Sequence, residues 1–141
     1  MRHLPSILLL MLTWPGIACQ EPDDPSVEGG YLFILADLPD GPEHFVAVTF
    51  DPETIAQLAA QLAIPEDQRR LFPNGPIDRG NGDHNLDWNW HYVPSQWELA
   101  EVTIELCDGR PQYVHDNLDY FLDQVGQYCP WGAYVVEKLN D

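Results

Sequence analysis

Trp88 and Trp90 lie two residues apart, separated by Asn89, in the stretch WNWHYV. Two side chains at that spacing share one face of any strand. Burial is the most favourable use of a face carrying two indoles, so the stretch demands a core wide enough to take both. It reads as a strand entry, with Trp88 and Trp90 on the core side and Asn89 and His91 on the other. His91 is then expected near the segment ending in Cys107 and Asp108, within reach of a hydrogen bond. The competing use of the same residues is an aromatic platform with a polar rim. The candidate ligand-binding residues are accordingly Trp88, Trp90, His91 and Asp108.

The rest of the chain supplies partners for such a strand. Residues 31–37 (YLFILAD) and 44–50 (HFVAVTF) are short runs rich in aromatic and β-branched residues. The turn residues LPDGPE between them make the pair a hairpin. In DPETIAQLAAQLA, Asp51 caps, Pro52 suits the first helical position, and Ile55, Leu58, Ala59 and Leu62 form an apolar stripe ended by Pro65. Residues 66–87 read as loop, with turn clusters at FPNGP and DRGNGD. EVTIELC reads as a further strand with Val102, Ile104 and Leu106 on one face. A second helix from Pro111 carries Val114, Leu118, Phe121, Leu122 and Val125 and stops at Gly126. AYVVEKL closes the chain as a strand. The expected fold is α+β, a mainly antiparallel sheet of about five strands with two helices packed on one face. The 141 residues fit one domain.

The N-terminus carries an address. MRHLPSILLLMLTWPGIAC has a basic start, an apolar run and small residues before Cys19, the pattern of a bacterial export signal over residues 1–18. Cleavage after Ala18 leaves Cys19 first, where bacterial lipoproteins are acylated. The chain has three cysteines, Cys19, Cys107 and Cys129. Lipidation of Cys19 leaves Cys107 and Cys129 as an even pair for one disulfide in an oxidising compartment. Residues 19–30, acidic and rich in proline and glycine, read as a flexible tether. A single domain follows over 31–141. The expected location is the cell envelope, as an outer-membrane or cell-surface lipoprotein, or a secreted protein if Cys19 is not acylated.

Charge and motifs narrow the function. With 23 Asp and Glu against 6 Lys and Arg, no basic stripe exists for nucleic acid. The excess negative charge keeps an exported protein soluble, or meets a cationic or calcium-dependent partner. Asn81, Asp83, Asn85 and Asp87 alternate as in a calcium loop, but Trp88 and Pro94 stand where an EF-hand needs glycine and glutamate. His84 and His91 are not at a zinc spacing. No nucleophile elbow or phosphate loop is present. No metal or cofactor is therefore assigned, and the expected function is a non-enzymatic binding module for a protein or small-molecule ligand. The alternative is a small metal-dependent or hydrolase-like enzyme centred on His91, Asp108 and Asp87.

The block NLDWNWHYVP, IELCDGRPQYVHDNLD and CPW resembles the BP-seventy-four N-terminal domain family. Asn85, Trp88, Trp90, His91, Pro94, Ile104, Glu105, Cys107, Asp108, Tyr113, Val114, Cys129, Pro130 and Trp131 fall on the pattern. FVAVTFDPETIAQ resembles the family's strand running into an Asp-Pro-capped helix. The resemblance extends over roughly Tyr31 to Leu139 and implies the fold and the Cys107–Cys129 disulfide. Members are often labelled calmodulin-binding. A calmodulin target needs a basic amphipathic helix, and both helices here are acidic or neutral.

Overall fold

The computed structural model describes residues 27–139. The signal segment 1–18, Cys19 and the tether as far as residue 26 lie outside the described residues. The two apolar runs pair as expected. β1 (Gly30–Leu35) and β2 (Glu43–Val48) form an antiparallel hairpin in which Leu32 faces Val46 and Phe33 faces Phe45. Alternation sends Tyr31, Phe33, Phe45 and Ala47 into the core, while Leu32, His44 and Val46 take the opposite face. Residues 27–29 turn into β1 through a bond from the Gly30 N–H to the Val27 carbonyl, so Gly30 belongs to the strand rather than the tether.

The fold is α+β, and among the described residues every paired strand is antiparallel and no five-stranded sheet is formed. Among the described residues the largest sheet has three strands, in the order β2–β1–β7, with β7 at Tyr134–Lys138. Two small ribbons complete it. β3 (Phe72–Asn74) pairs with β6 (Glu98–Ala100), and β4 (Ile77–Arg79) pairs with β5 (Trp90–Tyr92). Both β3 and β4 arise from residues that read as loop. Three-residue strands are too short to show a period, and Pro73 inside β3 argues against a strand by ordinary rules.

The EVTIELC strand is not formed. The pairing segment lies just upstream, in β6, and residues 105–107 close into a 3₁₀ turn, Glu105–Cys107. Thr103 points inward to accept a hydrogen bond from the Trp131 indole, so Val102, Ile104 and Leu106 turn out to solvent.

Helix α1 (Pro52–Leu62) starts as expected, with the Asp51 carboxylate accepting from the Thr54 N–H at 2.9 Å. Ala59, expected on its buried stripe, is exposed. The second helix is shorter than its apolar stripe. α2 (Pro111–Asp116) breaks at Asn117, where φ is −128°, and the chain continues through a helical turn and a π turn, Phe121–Val125. Gly126, at φ 79°, stops it. Leu58, Val114, Leu118 and Phe121 all enter one aromatic core.

That core is built on Phe33, Phe45, Trp90, Tyr92, Trp97 and Tyr128, each at most 2% exposed. Every polar handle among them finds a backbone carbonyl. The Tyr92 hydroxyl donates to Tyr128 O at 2.9 Å, the Tyr128 hydroxyl to Gly109 O at 2.7 Å, and the Trp90 indole to Pro111 O at 3.3 Å. Burial pushes both phenols well above the usual tyrosine range.

Cys107 and Cys129 are disulfide-bonded, with Cα atoms 5.2 Å apart. The bridge ties the 3₁₀ turn to the segment entering β7. Replacing both cysteines by alanine should lower stability by about 3 kcal/mol, the chain-entropy value for a loop of this length. Urea unfolding measures it, and an unchanged midpoint would contradict the structural role.

Candidate functional site

The stretch around His84 is set by a tight turn. The Asn81 side chain accepts from the Asp83 N–H at 2.9 Å, and its carbonyl accepts from the N–H groups of His84 and Asn85. Gly82 and Asp83 both take left-handed backbone conformations, at φ 63° and 62°. A Cβ at Gly82 would lie 2.7 Å from the His91 ring and 2.8 Å from His84, so only glycine fits there. The turn delivers Asn85 to the open edge of β2.

That edge is closed by side chains. In an antiparallel strand the N–H and C=O of one residue point the same way. For β2, residues 44, 46, 48 and 50 point away from β1. The Trp88 indole donates to His44 O at 2.8 Å, and the Val46 N–H donates to the Asn85 side-chain oxygen at 2.9 Å. The Trp97 indole and the Ser95 N–H both donate to Val48 O, and the Phe50 N–H donates to the Ser95 hydroxyl. Ser95 reaches this position at φ 61°, a strained conformation for a non-glycine residue. Asn85, 1% exposed, also donates its amide to Trp90 O at 2.9 Å. One side chain thus joins the edge of β2 to β5.

The same turn walls a cavity on the sheet face away from the aromatic core. It measures about 270 Å³ and is lined by Leu32, His44 and Val46 from the sheet and by His84, Leu86 and Asp87 from the turn. Leu139 and Val27 close its far side. The walls are mainly apolar, with two imidazoles and one carboxylate among them.

His84 is 7% exposed, and its Nδ1 donates to Gly82 O at 2.8 Å. That bond fixes the neutral tautomer with Nε2 unprotonated, and Nε2 is buried without a hydrogen-bond partner. Burial pushes the His84 pKa down; the Gly82 bond opposes this, His91 adds to it and Asp83 opposes it. The His91 ring stands edge-on to His84 at 5.4 Å.

The residues expected to bind ligand do not form one site. Trp90 is wholly buried and meets no solvent. Trp88 is half-buried, stacked on Trp90 at 6.3 Å, with its indole N–H spent on β2. Trp90 thus fills the core from β5, whereas Trp88 lies in a bend just before that strand and packs at the core's margin, so the expected strand carrying both is not formed. His91 does not reach Asp108. Its Nδ1 donates to Gly80 O at 2.8 Å, because β4, which reads as loop in the sequence, pairs with β5 beside it. Asp108 accepts from the N–H groups of Gly109 and Trp131, each at 2.8 Å, and holds the disulfide loop. Asp87 lies at the cavity. The trio of His91, Asp108 and Asp87 is therefore not assembled. Among the described residues no three His, Cys, Asp or Glu side chains gather to hold a metal ion.

Sequence patterns do not single out the cavity residues Leu32, His44, Val46 and Leu86. The available signal is the run YLFIL, apolar on both faces, which implies that the second face of β1 is also covered.

A family model for the BP-seventy-four N-terminal domain matches residues 32–141. The chain belongs to that family. No curated protein and no solved structure matches it. The residues that carry the family pattern here are mostly structural in their contacts. Asn85 and Trp88 hold the β2 edge, Trp90 fills the core, and Cys107, Asp108, Cys129 and Trp131 tie the loop beside α2.

The lowered His84 pKa has a consequence for stability. Unfolded, the imidazole takes a proton near its ordinary value of 6.5, while the folded protein resists protonation to lower pH. The unfolded state then binds more protons, so stability falls as pH drops below that value. Asp40 and Asp51 are held below 3.8 by hydrogen bonds to Arg110 and Thr54, so their contributions disappear only at more acid pH. The urea midpoint should therefore be lower at about pH 5.5 than at about pH 7.5. His84→Gln should flatten that drop, and an equal drop in the variant would contradict the assignment.

Proposed function

We propose that this protein is an exported, lipid-anchored binding module that takes a small amphipathic ligand into the cavity beside the His84–Asp87 turn. The observation that carries the reading is the cavity itself, about 270 Å³ of space with walls from two strands and a fixed turn. That volume equals about nine waters' share of liquid, slightly below the usual range for drug-sized sites. Apolar walls from Leu32, Val46 and Leu86 suit a hydrophobic body. Asp87 and the two imidazoles suit a polar end, and a positive one is favoured by a chain of net charge −17.

The export signal and Cys19 support the address. Val27, at the cavity's edge, is eight residues beyond Cys19. Eight residues span at most about 28 Å, so acylation of Cys19 would keep the cavity close to the membrane surface. Two or three acyl chains suffice for stable anchoring.

Two experiments test the two halves of the reading. Indole, a small aromatic with one N–H donor, is titrated into the isotope-labelled protein. Amide shifts should concentrate at Val46, His84 and Leu86, and Leu86→Trp, which fills the cavity from an exposed position, should abolish them. Shifts that persist in the variant, or none at millimolar indole, would reject the site. Expressed in a bacterium with its own signal, the protein should partition into detergent, and Cys19→Ser should release it to the aqueous phase. Unchanged partitioning would reject the anchor.

A further inference from the structure

The segment after β6 is unlike the rest of the surface. Val102 is 79% exposed, Ile104 57% and Leu106 56%. Clustered apolar exposure of this kind marks an interaction surface more often than it does a solvated loop. The backbone is extended at Ile104, at φ −73° and ψ 143°. Among the described residues, the N–H groups of Val102, Thr103 and Ile104 donate to no other residue.

This segment is held in place rather than loose. β6 pairs with β3 up to Ala100, Thr103 accepts from the Trp131 indole at 2.6 Å, and Cys107 is bonded to Cys129. It therefore presents a short non-helical stretch, residues 102–104, with open N–H groups, between a bend at Glu101 and the 3₁₀ turn that begins at Glu105. Val102 and Ile104 face solvent, Thr103 points inward to Trp131, and exposed Glu101 and Glu105 flank the stretch at its two ends. Glu98, Glu101 and Glu105 are all exposed, and among the described residues none of them forms an ion pair.

From this geometry we infer that residues 102–104, flanked by the exposed carboxylates of Glu101 and Glu105, accept an extended, basic peptide segment of a partner protein by strand addition. Backbone hydrogen bonds to the added strand satisfy the open groups, and side-chain pairs set specificity. Cross-strand neighbours on one face interact directly. Apolar side chains of the peptide would then meet Val102 and Ile104, and Lys or Arg would meet Glu101 and Glu105. A second copy of this chain fits poorly, because antiparallel self-pairing about Thr103 would set Glu101 opposite Glu105, and like charges there are destabilising. Anionic lipid is disfavoured by the same carboxylates.

The probe is a capped octapeptide alternating lysine and valine, with its glutamate–valine counterpart as control, added to the full folded chain. The basic peptide should bind, slow amide exchange at Val102 and Ile104, and leave the cavity amides of Val46 and Leu86 unshifted. Ile104→Asp, and separately Glu101→Lys with Glu105→Lys, should each weaken binding at least tenfold. Both variants alter exposed side chains, so an unchanged melting temperature shows that the fold is intact. Equal binding of the acidic peptide, undiminished binding by either variant, or no binding at millimolar peptide would overturn the proposal. So would Ile104-dependent self-association in light scattering, or Ile104-dependent binding to phosphatidylglycerol vesicles.

Discussion

The open edge of β2 is the constraint around which this domain is organised. A three-stranded sheet has two edges, and each exposes a row of backbone donors and acceptors that can template aggregation. Among the described residues no fourth strand covers β2. Four side chains do so instead, those of Asn85, Trp88, Ser95 and Trp97, aided by the Ser95 N–H. At the other edge, the Arg69 guanidinium donates to the Val135 and Val136 carbonyls. Side-chain closure lets a small sheet stop at three strands, and it dictates where the following ribbon must lie.

The aromatic core follows from that closure. Trp97 can reach Val48 O only from inside the molecule, and Asn85 can hold Trp90 O only if β5 runs beside β2. With those fixed, Trp90, Tyr92 and Tyr128 pack within about 6 Å of one another. Their hydroxyl and indole groups each end on a carbonyl, so burial leaves no handle unpaired. The cavity is the by-product of the same arrangement. The turn that carries Asn85 to β2 also projects His84, Leu86 and Asp87 over the sheet's second face.

Much of this is legible in the chain, and the misses have physical causes. Runs of aromatic and β-branched residues mark β1, β2 and β7, with turn residues between the first two, and Asp51–Pro52 marks the start of α1. Trp90 is expected in the core and fills it, while Trp88, outside β5, only packs at the core's margin, and the even cysteine pair announces the disulfide. The same rule fails at EVTIELC, whose alternation is real but turned outward, because Thr103 is held by Trp131 and Cys107 by Cys129. β3 and β4 are three residues each and carry no period. The role of Asn85 is hidden for a different reason. A buried asparagine serving two strands is a tertiary fact, and its local context reads as turn. His91 is expected against the wrong neighbour because nothing in the sequence announces β4, the strand that pairs with β5.

The central claim is that the Asn85 side chain closes the β2 edge, and native-state amide exchange at Val46 tests it most directly. Phe45 and Ala47 point toward β1 and serve as internal references. In the native protein the Val46 amide should be protected to nearly the same degree as those two. In Asn85→Ala it should exchange much faster, through local opening of the edge, while Phe45 and Ala47 keep protection close to the variant's global stability. Val46 exchanging like an unprotected surface amide in the native protein, or unaffected by the substitution, would contradict the account.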